Sequence, residues 1–377
     1  MIKRTIKMIA LVILGIIILI VGTGALFMNL SPQFGGSPTE EDKAFYAKSG
    51  HYKKGKFLNT QPTSISRGEK GMFASAMEFL KGGPNRRPGS DISVIKIDST
   101  NIAENDSLTR ITWFGHSAML LEIDGKKVVI DPMLGDVPAP HPLLGGKRYN
   151  TEAPISIEKL PFIDVLLLSH DHYDHLDYES IIKLKDKVGI FYVPLGVGAH
   201  LKSWNISSDK IKEFNWWDEI KHEDLLFALT PSRHFSGRGI TDRAATLWGS
   251  WVIKGKSDNV YFSGDSGYGE HFKEIGEKYG PFDFAMMECG QYNEGWSEIH
   301  MMPEESAQAA VDVKTKLMMP IHWGTFTLSL HPWTDPVERV LVKAKELNMP
   351  ITTPRIGEQI IVNQSSFPNT EWWTKVN

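Results

Sequence analysis

The stretch LSHDHYDHLD, residues 168–177, constrains this chain more than any other. It follows the apolar run VLLLS at 165–169 and places three histidines and three aspartates within ten residues. Polar groups this dense at the end of a buried strand need partners, because desolvated imidazoles and carboxylates are costly when left alone. In an extended or turning segment His170 and His172 fall on one side and suit one ion. Asp174 and His175 lie past the turn and suit a second ion a few ångströms away.

Three further strand-like runs end in a metal-capable side chain. LLFALTPSRH ends at His234, NVYFSGD ends at Asp265, and MMPIHWG contains His322. Strand ends are rigid and the loops beyond them free to vary, so a fold gathers distant ligands there. Two adjacent cations need an anionic group between them, and Asp265 is the carboxylate for that place. Five imidazoles and two carboxylates suit two zinc ions, with manganese or iron as the other candidates. Cys289 is the single cysteine, so an intrachain disulfide and a cysteine-based zinc site are both excluded. Cys289 itself reads as a small buried strand residue.

The surrounding elements point to an α/β fold. RITWFGHSAMLLEIDGKKVVIDP, from residue 110, holds two strands joined by the hairpin signal Asp124-Gly125. TLWGSWVI at 246–253 reads as another strand. DPVERVLVKAKELNM at 335–349 reads as a helix with Asp335 as N-cap and Pro336 in its first turn. Residues 302–313 form a second helix opened by Pro303, and residues 70–80 a third. Near-continuous apolar strands with helices between them predict sheets inside and helices on the outer faces. Most of the eleven tryptophans read as core, and some as lining for a greasy entrance.

The N-terminus stands apart. MIALVILGIIILIVGTGALFM, residues 8–28, is followed by no charge until Glu40. At about 1.5 Å per residue it spans roughly 31 Å, a bilayer core. Lys3, Arg4 and Lys7 precede it, which keeps the N-terminus cytoplasmic and puts the rest outside the cytoplasm on a single-pass anchor. A cleaved signal peptide is the rival reading, against which stand the length of the run and the lack of an A-x-A site. Residues 29–38, rich in turn formers, read as a short stalk. The net charge of −4 lends no support to nucleic acid as a partner.

With these motifs assembled, the chain resembles the metallo-β-lactamase superfamily, whose H-x-H-x-D-H stands here as HDHYDH. Within it the chain is similar to the N-acyl-phosphatidylethanolamine phospholipase D family and its bacterial relatives. TWFGHSAMLLEIDGKKVVIDP, LLLSHDHYDHLD, FNWWDE, LWGSW, FSGDSGYG, KEIGEKYGPFD, HMMPEESAQAAVDVKT and PIHWGTF carry the likeness, in order, from about residue 108 to 330. The resemblance implies an αββα sandwich with a dinuclear site at one edge. It gives His170, His172 and His234 to one metal, Asp174, His175 and His322 to the other, and makes Asp265 the bridge. It implies that Asp131 orients a ligand histidine and that His300 lies near the substrate phosphate; His116 belongs to the same edge as a supporting residue. MMECGQYNEGW at 286–296 departs from the pattern, placing Glu288, Gln291, Tyr292 and Trp296 where they would border the pocket and meet a different headgroup. His51, His141, His200, His222, His271 and His331 match no metal motif and read as surface residues.

The layout expected is an anchor over 1–28, a stalk and lead-in over 29–107, a catalytic domain over 108–362 and a tail over 363–377. The function expected is a membrane-anchored zinc phosphodiesterase of phospholipase D type, acting on a phospholipid or other phosphodiester through a metal-bridging hydroxide, with Asp174, Asp265 and His300 carrying the chemistry. A hydrolase of carboxylic esters, lactones or lactams is the second reading, because the same metal set serves attack on carbon or phosphorus. A tethered, non-catalytic metal-binding scaffold is the third.

Overall fold

In a computed structural model that describes residues 2–64, 77, 81–105 and 107–376, strand Met119–Ile123 shows how the layers arise. Successive side chains on a strand point to opposite faces. Met119, Leu121 and Ile123 enter one core and Leu120 another. Strand Phe284–Glu288 does the same in the facing sheet: Phe284 and Met286 join Met119 in the central core, while Ala285 and Met287 enter a third. Both sheets are therefore buried on both faces, which is why their strands read as unbroken apolar runs.

The first sheet has seven strands in the order Gln359–Ile361, Arg110–Trp113, Met119–Ile123, Lys126–Ile130, Ile163–Leu167, Val188–Pro194 and Ile211–Phe214. The second has six: Met318–Ile321, Phe284–Glu288, Asn259–Phe262, Ser250–Lys254, Leu225–Thr230 and Glu219–His222. Helices Tyr178–Leu184 and Gly198–Ser203 bury Ile181, Leu184 and Leu201 on the outer face of the first sheet. Helices His271–Lys278, Pro303–Asp312 and Asp335–Glu346 bury Phe272, Ile275, Ala307 and Val340 on the outer face of the second. The α/β sandwich expected from the pattern is the fold observed.

Local chemistry explains the details. Asp124 and Gly125 both adopt positive φ, 49° and 75°, and Ile123 pairs directly with Lys126, the two-residue hairpin expected. The last helix starts differently from the expectation: Thr334 stands at the N-cap position without a side-chain capping bond, and Asp335 is its first residue. The Asp335 carboxylate is taken up by Arg339 at 3.4 Å and by the Tyr292 hydroxyl. The strand expected from 246 begins only at Ser250, because Leu247 and Gly249 donate backbone hydrogen bonds to Leu195 and Ser169 of the other layer. The helix expected over 70–80 falls, Met77 apart, outside the described residues.

Helix Ile2–Leu30 is long and apolar enough to cross a membrane by length and composition, and its side chains from Ile9 to Val21 are exposed. The residues after it do not stand off as a free stalk. Trp204 Nε1 donates to Pro32 O at 2.7 Å and Arg238 Nε to Gln33 O at 2.8 Å. At the other end of the chain Trp372 and Trp373 are buried against Trp323.

A side-chain hydrogen bond joins the layers beside the histidine-rich loop, next to the backbone bond from Gly249 to Ser169. Trp251 Nε1, wholly buried in the second sheet, donates at 2.9 Å to Leu168 O, at the end of a strand of the first. Trp251→Phe strands that carbonyl in a dry core, so the variant should lose about 1–3 kcal/mol in denaturant unfolding. An unchanged midpoint would mean that packing and the Gly249–Ser169 backbone bond align the two sheets here without it.

Candidate metal centre

The loops that matter leave the C-terminal ends of strands running in one direction. Strands Asn259–Phe262, Phe284–Glu288 and Met318–Ile321 are mutually parallel. Leu225–Thr230, two antiparallel steps away, points the same way. Asp265, His322 and His234 therefore emerge at one edge. Strand Ile163–Leu167 delivers His170, His172, Asp174 and His175 there from the facing sheet.

Two clusters form. In the first, His170 Nε2 lies 2.9 Å and His234 Nε2 3.2 Å from His172 Nδ1, with Asp265 completing the group. An ion with bonds of about 2.0–2.1 Å to nitrogen holds its neighbouring ligand atoms about 3.3 Å apart, so the spacing fits. In the second, Asp174, His175 and His322 gather with His116. Asp265 faces both clusters. Its Oδ2 is 3.8 Å from Nε2 of His170 and of His234, and its Oδ1 is 3.2 Å from His175 Nε2 and 3.3 Å from His322 Nδ1. His175 Nε2, Asp265 Oδ1 and His116 Nδ1 are buried with no hydrogen-bond partner among the described residues. Orphaned buried atoms of this kind each cost about 1–3 kcal/mol. Neutral imidazoles and carboxylates aimed at two shared points are a donor set that fits divalent cations.

The groups behind the clusters decide which ring nitrogen faces inward. Asp131 Oδ2 accepts from His175 Nδ1 at 2.7 Å and from Ser169 Oγ at 2.5 Å, and Oδ1 accepts the Ser169 amide at 2.7 Å. Ser169 Oγ in turn lies 2.9 Å from His170 Nδ1. One carboxylate thus orients a histidine in each cluster, directly for His175 and through Ser169 for His170. Ile299 O accepts a hydrogen bond from His234 Nδ1 at 2.9 Å. His116 Nε2 donates to Asp174 at 2.9 Å, and its carbonyl accepts the His322 amide at 3.0 Å. His116 sits at φ 51°, a strained turn that lets ring and carbonyl serve both residues.

Burial pulls His170, His234 and His322 well below the ordinary imidazole range. His175 goes the other way: burial opposes its charge, but Asp265, Asp174 and Asp131 hold it well above. Asp174 and Asp265 resist their own burial because the facing imidazoles, His175 first, keep them well below the usual carboxylate range.

The loop that departs from the family pattern is turned inward, which corrects the expectation that it meets a headgroup. Glu288 is wholly buried and spends Oε1 on His300 Nδ1 at 2.8 Å and Oε2 on the Met301 amide at 3.0 Å. Gln291 bonds the backbone of His322, Phe326 and Leu328. Tyr292 stacks on His331 and bonds Asp335. Trp296, half-buried, donates to Gln291 O. His300 itself reaches the cluster, grouped with Asp265 and His322. Burial lowers it to about 4, while burial and then Asp265 push Glu288 well up.

His200 and His271, expected on the surface, are buried. His271 Nε2 lies 3.1 Å from Ser266 Oγ, and His200 Nε2 contacts Asp171 at 3.2 Å. Asp171, which sequence reasoning passed over as a spacer in HDHYDH, also accepts from Gly237 N at 2.7 Å and Thr246 Oγ1 at 2.8 Å. Its side chain anchors the loop from behind. Only its place between two histidines hinted at this, and its partners lie far off in sequence.

Two outcomes follow for metal binding. Asp131→Asn preserves shape but removes the acceptor that sets His170 and His175, so metal affinity measured by chelator competition should fall about 10–100-fold with the circular dichroism spectrum unchanged. Because Asp265, Asp174 and Asp131 favour a proton on His175 where a cation must bind, metal affinity should rise as pH rises through and above the ordinary imidazole range. A flat profile would show that no proton is displaced.

Comparison with known proteins agrees with this geometry. Residues 126–323, just over half of the chain, match a family model described as a beta-lactamase superfamily domain. An uncharacterised protein of Mycobacterium tuberculosis is 37% identical over 370 residues, covering 96% of each chain. N-acyl-phosphatidylethanolamine-hydrolyzing phospholipase D 1 of Caenorhabditis elegans is 34% identical over 230 residues, 58% of this chain and 64% of its own. The solved metallo hydrolase of Ignicoccus hospitalis shares the fold at a TM-score of 0.52 and 20% identity, over 69% of this chain and 100% of its own. The chain belongs to the beta-lactamase superfamily, and is a metal-dependent hydrolase within it.

Proposed function

We propose that this protein is a membrane-anchored, dinuclear-metal phosphodiesterase whose reaction is phospholipase D-type hydrolysis of N-acyl-phosphatidylethanolamine or a related phospholipid. The observation that carries the reading is Asp265, one buried carboxylate facing two imidazole-rich clusters with an oxygen for each. Similarity to the nematode phospholipase supports the choice of substrate.

His170, His172 and His234 would hold one cation and Asp174, His175 and His322 the other, with Asp265 facing both groups. Zinc suits the donors, and manganese or iron are the alternatives. When bound, the pair supplies Lewis acidity and makes water nucleophilic near neutral pH. His300 has Nδ1 committed to Glu288, so Nε2 is the nitrogen it presents to a phosphate oxygen or to the leaving group. An oxygen from water bonds to phosphorus, the bond from phosphorus to the ethanolamine oxygen breaks, and that oxygen takes up a proton. N-acylethanolamine departs and phosphatidate remains.

Helix Ile2–Leu30 serves as the anchor, with Lys3, Arg4 and Lys7 on the cytoplasmic side and the catalytic part beyond the membrane. Metal-loaded full-length protein in mixed micelles should release N-acylethanolamine and cleave a simple phosphodiester in preference to lactones and β-lactams. Asp265→Asn should lower that activity at least about 100-fold with the fold retained. Hydrolysis confined to carboxylic substrates would replace this reading with the lactonase one, and no hydrolysis of any substrate would favour the scaffold.

A further inference from the structure

Two loops on either side of the point where the apolar helix ends expose large aliphatic side chains. Leu143 and Leu144 are 87% and 64% exposed, and Ile240 is 79% exposed. Single exposed apolar side chains are common on soluble surfaces, and Phe162 and Val342 are of that kind. These three differ in what holds them and in what they stand beside.

Leu143 and Leu144 sit in the short turn Pro142–Leu144, capped by His141, whose Nδ1 accepts the Leu143 amide at 3.2 Å. The His141 ring packs edge-on against Phe27, three residues before the helix ends, at 6.0 Å. Three residues of helix are about 4.5 Å of rise, so this turn lies level with the end of the apolar span. Ile240 lies in the loop of Arg238, which bonds Gln33 O at 2.8 Å just past the helix. The Asp242 carboxylate accepts the amides of Arg238 at 3.0 Å and Gly239 at 2.8 Å, so the loop tip is an ordered turn that holds Ile240 out. Loops about a hundred residues apart in sequence therefore meet the same eight-residue exit, 27–34, and each presents aliphatic side chains there.

The exit also touches the metal edge. Phe27 packs on Phe34 at 5.4 Å, and Phe34 on Tyr173 at 6.4 Å. Tyr173 stands between His172 and Asp174, and its hydroxyl donates to Arg238 O at 2.8 Å. Anchor exit, aliphatic turns and histidine-rich loop thus share one side of the molecule.

We propose that Leu143, Leu144 and Ile240 form a bilayer-docking surface that inserts into the lipid interface around the anchor and holds the metal edge against the membrane. The occupant is a lipid surface, because the helix that ends against these loops is apolar and exposed from Ile9 to Val21, and interfacial insertion of aliphatic side chains beside a span adds contact at no ordering cost to the already fixed turns. The inference rests on the reading of Ile2–Leu30 as a membrane anchor. With the metal edge held at the interface, a lipid substrate reaches it without leaving the bilayer.

The test uses the full-length chain in phosphatidylcholine–phosphatidylglycerol vesicles, with an environment-sensitive fluorophore on single introduced cysteines; Cys289 is buried and stays unlabelled. Leu144→Cys and Ile240→Cys should show blue-shifted emission quenched by nitroxide at a shallow acyl-chain position. Ile16→Cys should be quenched by a deep nitroxide, and Val342→Cys should read as water. If Ile16→Cys reads lipid while Leu144→Cys and Ile240→Cys read water, docking is overturned and the anchor stands. If all read water, both are overturned. If Leu144→Cys and Ile240→Cys read lipid while Ile16→Cys reads water, the surface docks and the anchor reading fails. Val342→Cys reading lipid like the others overturns docking through a specific surface.

Discussion

The burial of Asp174 and Asp265 among imidazoles at the sheet edge is the constraint to which the rest of the structure answers. Both carboxylates face His175, and Asp265 faces His170, His234 and His322 as well. Desolvated groups of opposite sign hold together only when their geometry is fixed and their remaining atoms are engaged. A loop free to relax would let water in and dissolve the arrangement. The sandwich supplies the rigidity: two sheets, each buried on both faces, project the ligand-bearing loops from strands running in one direction.

A second set of buried carboxylates does the holding. Asp131 sets His170 and His175, Asp171 ties the loop to Gly237, Thr246 and His200, and Glu288 sets His300. None of the three is exposed, and each spends its oxygens on amides, hydroxyls or ring nitrogens. This division leaves His175 Nε2 and Asp265 Oδ1 free of protein partners among the described residues, the condition a metal ligand has to meet. The same economy applies to Arg238, which bonds the carbonyls of Asp171, Leu176 and Gln33 and so binds the histidine-rich loop to the segment leaving the apolar helix.

Much of the fold was legible because both sheets are buried on both faces, which writes each strand as an apolar run, and because Asp124-Gly125 and Pro303 mark a turn and a helix start whatever surrounds them. The seven metal-capable residues were legible for a related reason: each lies within eight residues of the end of such a run. What escaped was partner choice. Glu288 looked like a polar residue on a pocket rim, yet it is wholly buried and its oxygens reach His300 and Met301 across a loop. His200 and His271 carry no local sign of burial, since the residues that cover them come from elsewhere in the chain.

By itself the sequence determined the element order, the apolar N-terminal span, and a chemistry restricted to imidazole and carboxylate by the solitary Cys289. Those properties are local: periodicity, turn chemistry and residue type act within a few positions. Only the tertiary structure decided which ring nitrogen of each histidine faces inward, that Asp171 and Glu288 serve as supports, and that residues 29–38 lie against the domain instead of spacing it from the helix. Each of those outcomes depends on a hydrogen bond or a ring contact between segments tens to hundreds of residues apart, and such pairings exist only once the two sheets have closed on each other.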